Sequence, residues 1–339
     1  MRIGITYDLK SDAPLPDGAP DDYQEEFDSL ATVDAVAAVL RNLGHEVEKL
    51  GDGRELLQKL LTDPPEFVFN FAEGQGVGRS REARVPAVLE MLGIRYTGSD
   101  PLTLAVTLDK DCAKRLVQSV GVCVPRSSLW QPEESLIDLE TRDRLPYTAI
   151  VKPAWEGSSK GIRGKCVVDD AAECIAAIQR LRSDHAQPVL VEEYIEGDEL
   201  TVGVVGNDPP RIVGVMRVLP QHQTERFIYS LEVKRDWERQ VTYECPARLP
   251  HGRLKAVEEA ALKAYRILGC RDVSRIDFRL HEGTPYFLEV NPLPGLNPET
   301  GDLVIMARLA GWSYEQLIGA IFQAALDRHA GALSTIAAI

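Results

Sequence analysis

Two short segments of this 339-residue chain constrain its fold more than any others. Ser274-Arg275-Ile276-Asp277-Phe278 and Phe287-Leu288-Glu289-Val290-Asn291, joined by a polar turn from His281 to Pro285, read as a β-hairpin. Side chains two residues apart share one face of a strand. Arg275, Asp277, Glu289 and Asn291 are therefore expected on one face, and Ile276, Phe278, Leu288 and Val290 on the other, buried. Two carboxylates and an amide oxygen are hard donors that suit Mg²⁺ held between a few protein oxygens and nucleotide phosphates. The plain alternative is a solvated strand face with a salt bridge, so the flanking sequence has to decide.

The formal net charge of −14 and pI near 5.0 leave no basic stripe for nucleic acid. No signal-peptide core follows Met1, and no run reaches the ~18–20 apolar residues that span a bilayer. The expectation is a cytoplasmic protein without a membrane partner. The six cysteines show no CxxC pair and read as reduced thiols, and the six scattered histidines argue against zinc.

Apolar strands near 2–7, 45–50 and 66–71 alternate with helical patterns near 33–43, 54–61 and 81–92, which describes a parallel α/β layer. The polar segment 8–28 between them reads as a loop over a site or as disorder. After a turn-rich break at 96–101 come a helix over 103–120, a strand over 149–153, a Gly/Ser loop over 154–162 and a helix over 171–181. The extended run 189–195 opens a third unit, with strands near 200–205 and 212–218, a polar excursion over 221–240, a helix over 254–268, the hairpin and a last helix over 314–328. The expected units are 1–98, 99–187 and 188–339.

Four elements then line up: Lys110 on a helix; Lys152 at a strand end before Glu156-Gly157-Ser158-Ser159; Glu192-Glu193-Tyr194-Ile195 with Glu199; and the hairpin. Two lysines can pair with phosphates, and small residues let backbone N–H groups approach phosphate oxygens. Singly each signal is weak, and the loop is not a Walker A sequence. In this order, with Tyr96-Thr97-Gly98-Ser99, Leu108-Asp109-Lys110, Val151-Lys152-Pro153, Arg275-Ile276-Asp277 and Glu289-Val290-Asn291, the set resembles the D-alanine–D-alanine ligase family of the ATP-grasp superfamily, from about Phe69 to Leu309.

The resemblance implies an α/β (α+β) ATP-grasp fold, with an N-terminal parallel α/β domain and two α+β subdomains sandwiching ATP. It implies phosphate contacts from Lys110 and Lys152 under the 156–159 loop, an adenine pocket at Glu192, Glu193, Tyr194 and Ile195, and ribose on Glu199. Two Mg²⁺ ions, or Mn²⁺, would sit on Asp277, Glu289 and Asn291. Arg275 would stabilise the tetrahedral intermediate, the Gly295 N–H an oxyanion, and Lys234, on a closing loop, the γ-phosphate. The implied reaction converts a small-molecule carboxylate donor to an acyl phosphate, which an amine acceptor attacks. Members of the family are often homodimers.

The chain departs from the family at its amino-acid end. Asp8-Leu9-Lys10-Ser11-Asp12 replaces the Gly/Ser turn whose glutamate holds the first D-alanine. Glu73 follows the third strand where a histidine is expected, and Glu82 stands at another acidic position. Arg235 replaces the tyrosine after Lys234, and Glu299-Thr300 with Asp302 occupy the carboxylate site of the second D-alanine. The expectation is a ligase with altered specificity, because acid near an acceptor carboxylate repels it and tolerates a cationic acceptor. The alternatives are a genuine D-alanine–D-alanine ligase, with Glu299 in solvent and Thr300 in its ordinary role, and a non-catalytic nucleotide-binding protein.

Overall fold

The computed structural model describes residues 1–11, 15, 18–136 and 147–336, with only the backbone of 332–336. Strands β1 (Arg2–Thr6), β2 (Glu46–Lys49), β3 (Phe67–Asn70) and β4 (Arg95–Tyr96) form a parallel sheet in the order β2-β1-β3-β4. Ile3, Ile5, Phe67 and Phe69 are fully buried in it, as parallel strands covered on both faces require. Helix Leu30–Asn42 covers one face with Val33, Val36 and Leu40, and Ser29 caps it by accepting from the Thr32 N–H.

Strands β5 (Ser127–Trp130), β6 (Ala149–Pro153), β7 (Val167–Val168) and β8 (Val189–Glu193) make an antiparallel sheet in the order β5-β8-β6-β7. Strands β9 (Asp198–Val205), β10 (Arg211–Pro220), β11 (Val241–Glu244), β12 (Val273–His281) and β13 (Thr284–Asn291) make another, in the order β11-β10-β9-β12-β13. The cleft lies between these two antiparallel sheets. The sequence placed 189–195 with the third unit, but β8 is hydrogen-bonded between β5 and β6 of the middle sheet. Strand pairing is a long-range choice that an apolar run does not encode.

The single helix expected over 103–120 is two, Pro101–Leu108 and Lys110–Ser119, broken at Asp109. Asp109 has extended backbone and accepts from the Cys112 N–H, so it caps the second helix and sets Lys110 at its first turn. Helix Arg84–Met91 starts later than expected, which leaves Arg81 and Glu82 in the turn before it. Helix Asp302–Leu309, not anticipated, lies against Gly203 of β9, where a Cβ would stand 2.6 Å from Leu303 and 2.9 Å from Met306. That close approach delivers Asp302 to the hairpin face.

The hairpin forms with Asp277 opposite Glu289 and Arg275 opposite Asn291. Its turn is Glu282-Gly283, both at positive φ, the two-residue turn that matches strand twist. A bulge after Asp277 pairs Phe278 with Phe287 and leaves Leu288 over. Phe287 therefore enters the core, and Leu288, expected there, faces the cleft. In segment 8–28, residues 12–14, 16 and 17 lie outside the described residues; the remainder includes a buried strap with Asp22 and Glu26 inside. The excursion 221–240 carries short helices Leu231–Arg235 and Trp237–Gln240. Of the cysteines, Cys166, Cys174 and Cys270 are buried, and Cys123 is exposed. Among the described residues no helix is long and apolar enough to cross a membrane.

Candidate active site

A cavity between the two antiparallel sheets is walled by Lys152, Glu192, Glu193 and Ile195 on one side and by Glu199, Asp277, Leu288 and Glu289 on the other. Lys152 ends β6, and its Nζ lies 2.5 Å from Glu192 Oε1 on the adjacent β8. Lys114, one turn after Lys110 on the same helix face, stands 2.7 Å from the other Glu192 oxygen, close enough to pair as charges though off the line of a hydrogen bond. Burial lowers the pKa of Lys114 to about 8 against the pull of Glu192. For Lys152 burial also disfavours the charge, but Glu192 and Glu289 outweigh it and raise its pKa. Glu199 reaches Arg279 at 2.9 Å, and burial raises its pKa. Tyr194 does not join this wall: its hydroxyl donates to the Phe227 carbonyl at 3.2 Å and its ring lies under Arg279. Any part it plays in binding is through its backbone.

On the hairpin face, Asp277 accepts from Thr201 at 2.5 Å, Arg275 at 2.9 Å and Asn291 Nδ2 at 3.4 Å, which leaves the Asn291 amide oxygen available. Glu289 stands 3.2 Å from Lys110. Burial opposes its charge, but Lys110, Lys152, Lys234 and Arg275 hold its pKa well below the usual carboxylate range. An anionic carboxylate opposite a second one, with an amide oxygen beside them, is a donor set that fits a hard divalent cation.

The loop after β6 is held from outside the sheet. Ser158 and Ser159 are left-handed, at φ 48° and 60°, a conformation rare for non-glycine residues and common at ligand clamps. The Gly157 N–H donates to Glu26 of the strap at 2.6 Å, and the Gly161 N–H to Asp22 at 2.9 Å. The Glu26 carboxylate also takes Arg81 at 2.8 Å, while Glu156 takes Lys160 at 2.5 Å and Arg81 at 3.2 Å. All four charged side chains are buried. The Glu156 side chain thus points into this network, and its carbonyl accepts from Lys110.

Two further chambers adjoin the hairpin. One is lined by Asp28, Glu73, Glu82, Lys110, Arg275 and Gly295, with Gly157 and Ser158 at its edge. The other is lined by Lys234, Arg235, Tyr229, Thr300 and Asp302, and shares Arg275 and Gly295. Asp302 sits 3.1 Å from Arg275 and accepts from the Tyr229 hydroxyl at 3.1 Å; Lys234 stacks 4.9 Å above the Tyr229 ring. Arg235 pairs with Glu25 at 2.7 Å and Asp21 at 3.1 Å on the strap. Two sequence expectations fail here. Glu299 is exposed and does not line this second chamber; its N–H donates to the Asn297 side chain at 3.0 Å. Asp8 accepts from the Gly74 N–H at 2.8 Å and lines neither chamber, so it shapes the turn after β3.

The family model described as D-ala D-ala ligase C-terminus matches residues 116–323, more than half of the chain. The chain is 35% identical over 294 residues to the D-alanine–D-alanine ligase of Aquifex aeolicus, covering 86% of this chain and 94% of that one. The chain belongs to the D-alanine–D-alanine ligase family. It is 33% identical over 308 residues to an uncharacterised protein of Sinorhizobium fredii, covering 88% of each. Its fold matches the Bacillus anthracis D-alanine–D-alanine ligase structure complexed with ATP, with TM-score 0.76 over 98% of this chain and 99% of that one, at 23% identity. The protein is accordingly an ATP-grasp ligase, ADP-forming, that makes C–N bonds and uses ATP with a divalent metal.

Of the residues the sequence singled out, Lys152, Glu192, Glu193, Glu199, Asp277 and Glu289 line one cavity. The sequence missed Lys114, Arg81, Glu26, Lys160, Tyr229 and Leu288. Lys114 was open to discovery, since Lys110 and Lys114 share one helix face at i, i+4. Arg81 and Glu26 were not, because 55 residues separate partners that only the fold brings together.

Proposed function

We propose that the protein activates a carboxylate as an acyl phosphate and joins it to an amine, with D-alanine plus D-alanine not its best pair. The placement of Asp302 carries this reading: a carboxylate held by Arg275 and Tyr229 inside the acceptor chamber disfavours an acceptor carboxylate there. In this reading Lys110 and Lys152 bind phosphates, and the backbone of residues 193–195 meets adenine, over Leu288. Glu199 holds ribose, and Asp277, Glu289 and Asn291 would hold two Mg²⁺ ions. Bound ATP and metal supply the phosphoryl group and neutralise its charge during transfer. Arg275 faces both chambers and so meets charge developing at the reacting carbonyl, with the Gly295 N–H beside it. Lys234 approaches from the helix Leu231–Arg235, and the strap excludes water that would hydrolyse the acyl phosphate.

The second reading, a genuine D-alanine–D-alanine ligase, is favoured by the exposed Glu299 and by Thr300, whose hydroxyl-bearing residue lines the acceptor chamber. ADP formation measured across amino acids, dipeptides and diamines separates them. Turnover with D-alanine alone that matches or exceeds every other pair overturns the first reading.

A further inference from the structure

Two carboxyl groups in the first chamber have no place in the chemistry above. Glu82 is only 7% exposed and lines the chamber, yet has no hydrogen-bonding or ion-pair partner among the described residues. Glu73, on the loop leaving β3, lines the same chamber and likewise lacks such a partner among them. Asp28 lines it from the strap. The cation beside them, Arg81, is already committed: it donates to both Glu26 oxygens at 2.8 Å, to Glu156 at 3.2 Å and to the Trp155 carbonyl at 2.7 Å. Lys110 and Arg275, on the same chamber, belong to the hairpin face.

We propose that this chamber selects an acyl donor carrying two cationic groups, a diamino acid or an amino acid with a basic side chain, whose carboxylate lies at Lys110 and Arg275 and whose cations lie on Glu73 and Glu82. The inference rests on the ligase reading above. The α-ammonium of a monoamino donor satisfies one of the two carboxylates and leaves the other, buried at Glu82 or half-buried at Glu73, without an ion pair of its own, which is costly. Without a ligand the chamber meets that cost by holding protons. Burial first, and then the neighbouring carboxylates, raise Glu82 to about 8 and Glu73 well above its ordinary value, against the pull of Arg81. A second substrate cation takes the place of the proton, so the cost of the pair becomes discrimination between donors.

The test uses the full chain with ATP, Mg²⁺ and hydroxylamine, which attacks the acyl phosphate carbon to give a hydroxamate and free phosphate whatever the natural acceptor. Alanine, 2,3-diaminopropionate, ornithine, lysine and arginine, in both configurations, are compared by kcat/KM. The expected result is at least one dicationic donor about tenfold or more above alanine, a ratio that Glu73→Gln and Glu82→Gln each lower about tenfold. The isosteric variants should melt no lower than the parent. Alanine equal to or above every dicationic donor overturns the donor class and leaves the ligase reading standing, as does a ratio unchanged in both variants. No hydroxamate and no ADP from any donor overturns the ligase reading, and the inference with it.

Discussion

In the cleft between the two antiparallel sheets, at the end proposed for the nucleotide, charges come in opposed sets: Lys152 and Lys114 on Glu192, Lys110 on Glu289, Arg279 on Glu199. In the chamber lined by Glu73 and Glu82, neither carboxyl has a hydrogen-bonding or ion-pair partner among the described residues, and Asp302 shares Arg275 with the hairpin. The first arrangement is a preorganised scaffold, in which each cation is fixed before phosphates arrive. The second is incomplete until a substrate supplies opposite charge. In the proposed reading, one cleft thus combines a half whose charges are already paired with a half whose unpaired groups choose the reactants. The strap joins them, because Glu26 reaches the phosphate loop while its neighbour Glu25 holds Arg235 at the acceptor chamber.

The hardest test of this contrast is at the hairpin. Asp277→Asn and Glu289→Gln are expected to lower kcat about 1,000-fold or more, on the order of 4 kcal/mol, with the fold retained by circular dichroism, because each removes a charged metal ligand. Either variant keeping more than a tenth of the parent kcat means the face has been misassigned. Next is Glu26→Gln. It removes the charge that Arg81, Lys160 and the Gly157 N–H converge on. Breaking such a buried set costs about 3 kcal/mol of stability, read by urea unfolding. It should also raise KM for ATP more than it lowers kcat, which a purely structural role would not predict.

Leu288→Ala sharpens the contrast from the apolar side. Loss of the cleft floor should raise KM for ATP about tenfold with kcat nearly unchanged, since about 1–2 kcal/mol of apolar contact is removed. An unchanged KM would mean that the bulge does not present Leu288 to the nucleotide.

The Glu82 carboxyl has a folded pKa raised to about 8 from 4.5, facing Arg81, Glu26, Lys110 and Glu156. The native state binds the extra proton between those values, so this group's destabilisation is absent below pH 4.5 and grows up to about pH 8. Glu82→Gln should therefore melt like the parent near pH 4.5 and about 5 °C or more above it at pH 8. A constant difference across that range would remove the titration from the argument. Smallest of all is Glu299→Ala, which should change neither kcat/KM nor stability by more than about 0.5 kcal/mol, because the side chain is exposed. A larger effect would return Glu299 to the acceptor site.

The hairpin face and the loop after β6 were legible in the chain because their signals are local. Arg275, Asp277, Glu289 and Asn291 share a face through the strand period of two, and Gly157-Ser158-Ser159 announces a loop by composition. Leu288 was misplaced because a bulge changes the parity of a strand, and composition does not register it. The cap at Asp109 was readable in principle, as an N-cap acid before a helical pattern. Arg81 and Glu26 were not, since each acts through a partner distant in sequence; Asp302 was expected near the acceptor, but its pairing with Arg275 was not.

By itself, then, the order of residues determined the kind of chemistry: hard oxygen donors on a hairpin, lysines at a strand end and a helix start, and the family to which both belong. Tertiary structure alone decided which charges find partners. It left Glu299 exposed, drew Glu26 to the loop after β6, and left Glu73 and Glu82 single among the described residues. Periodicity is a property of neighbouring residues and survives in one dimension, whereas pairing depends on distances between segments that exist only once the sheets have closed around the cleft.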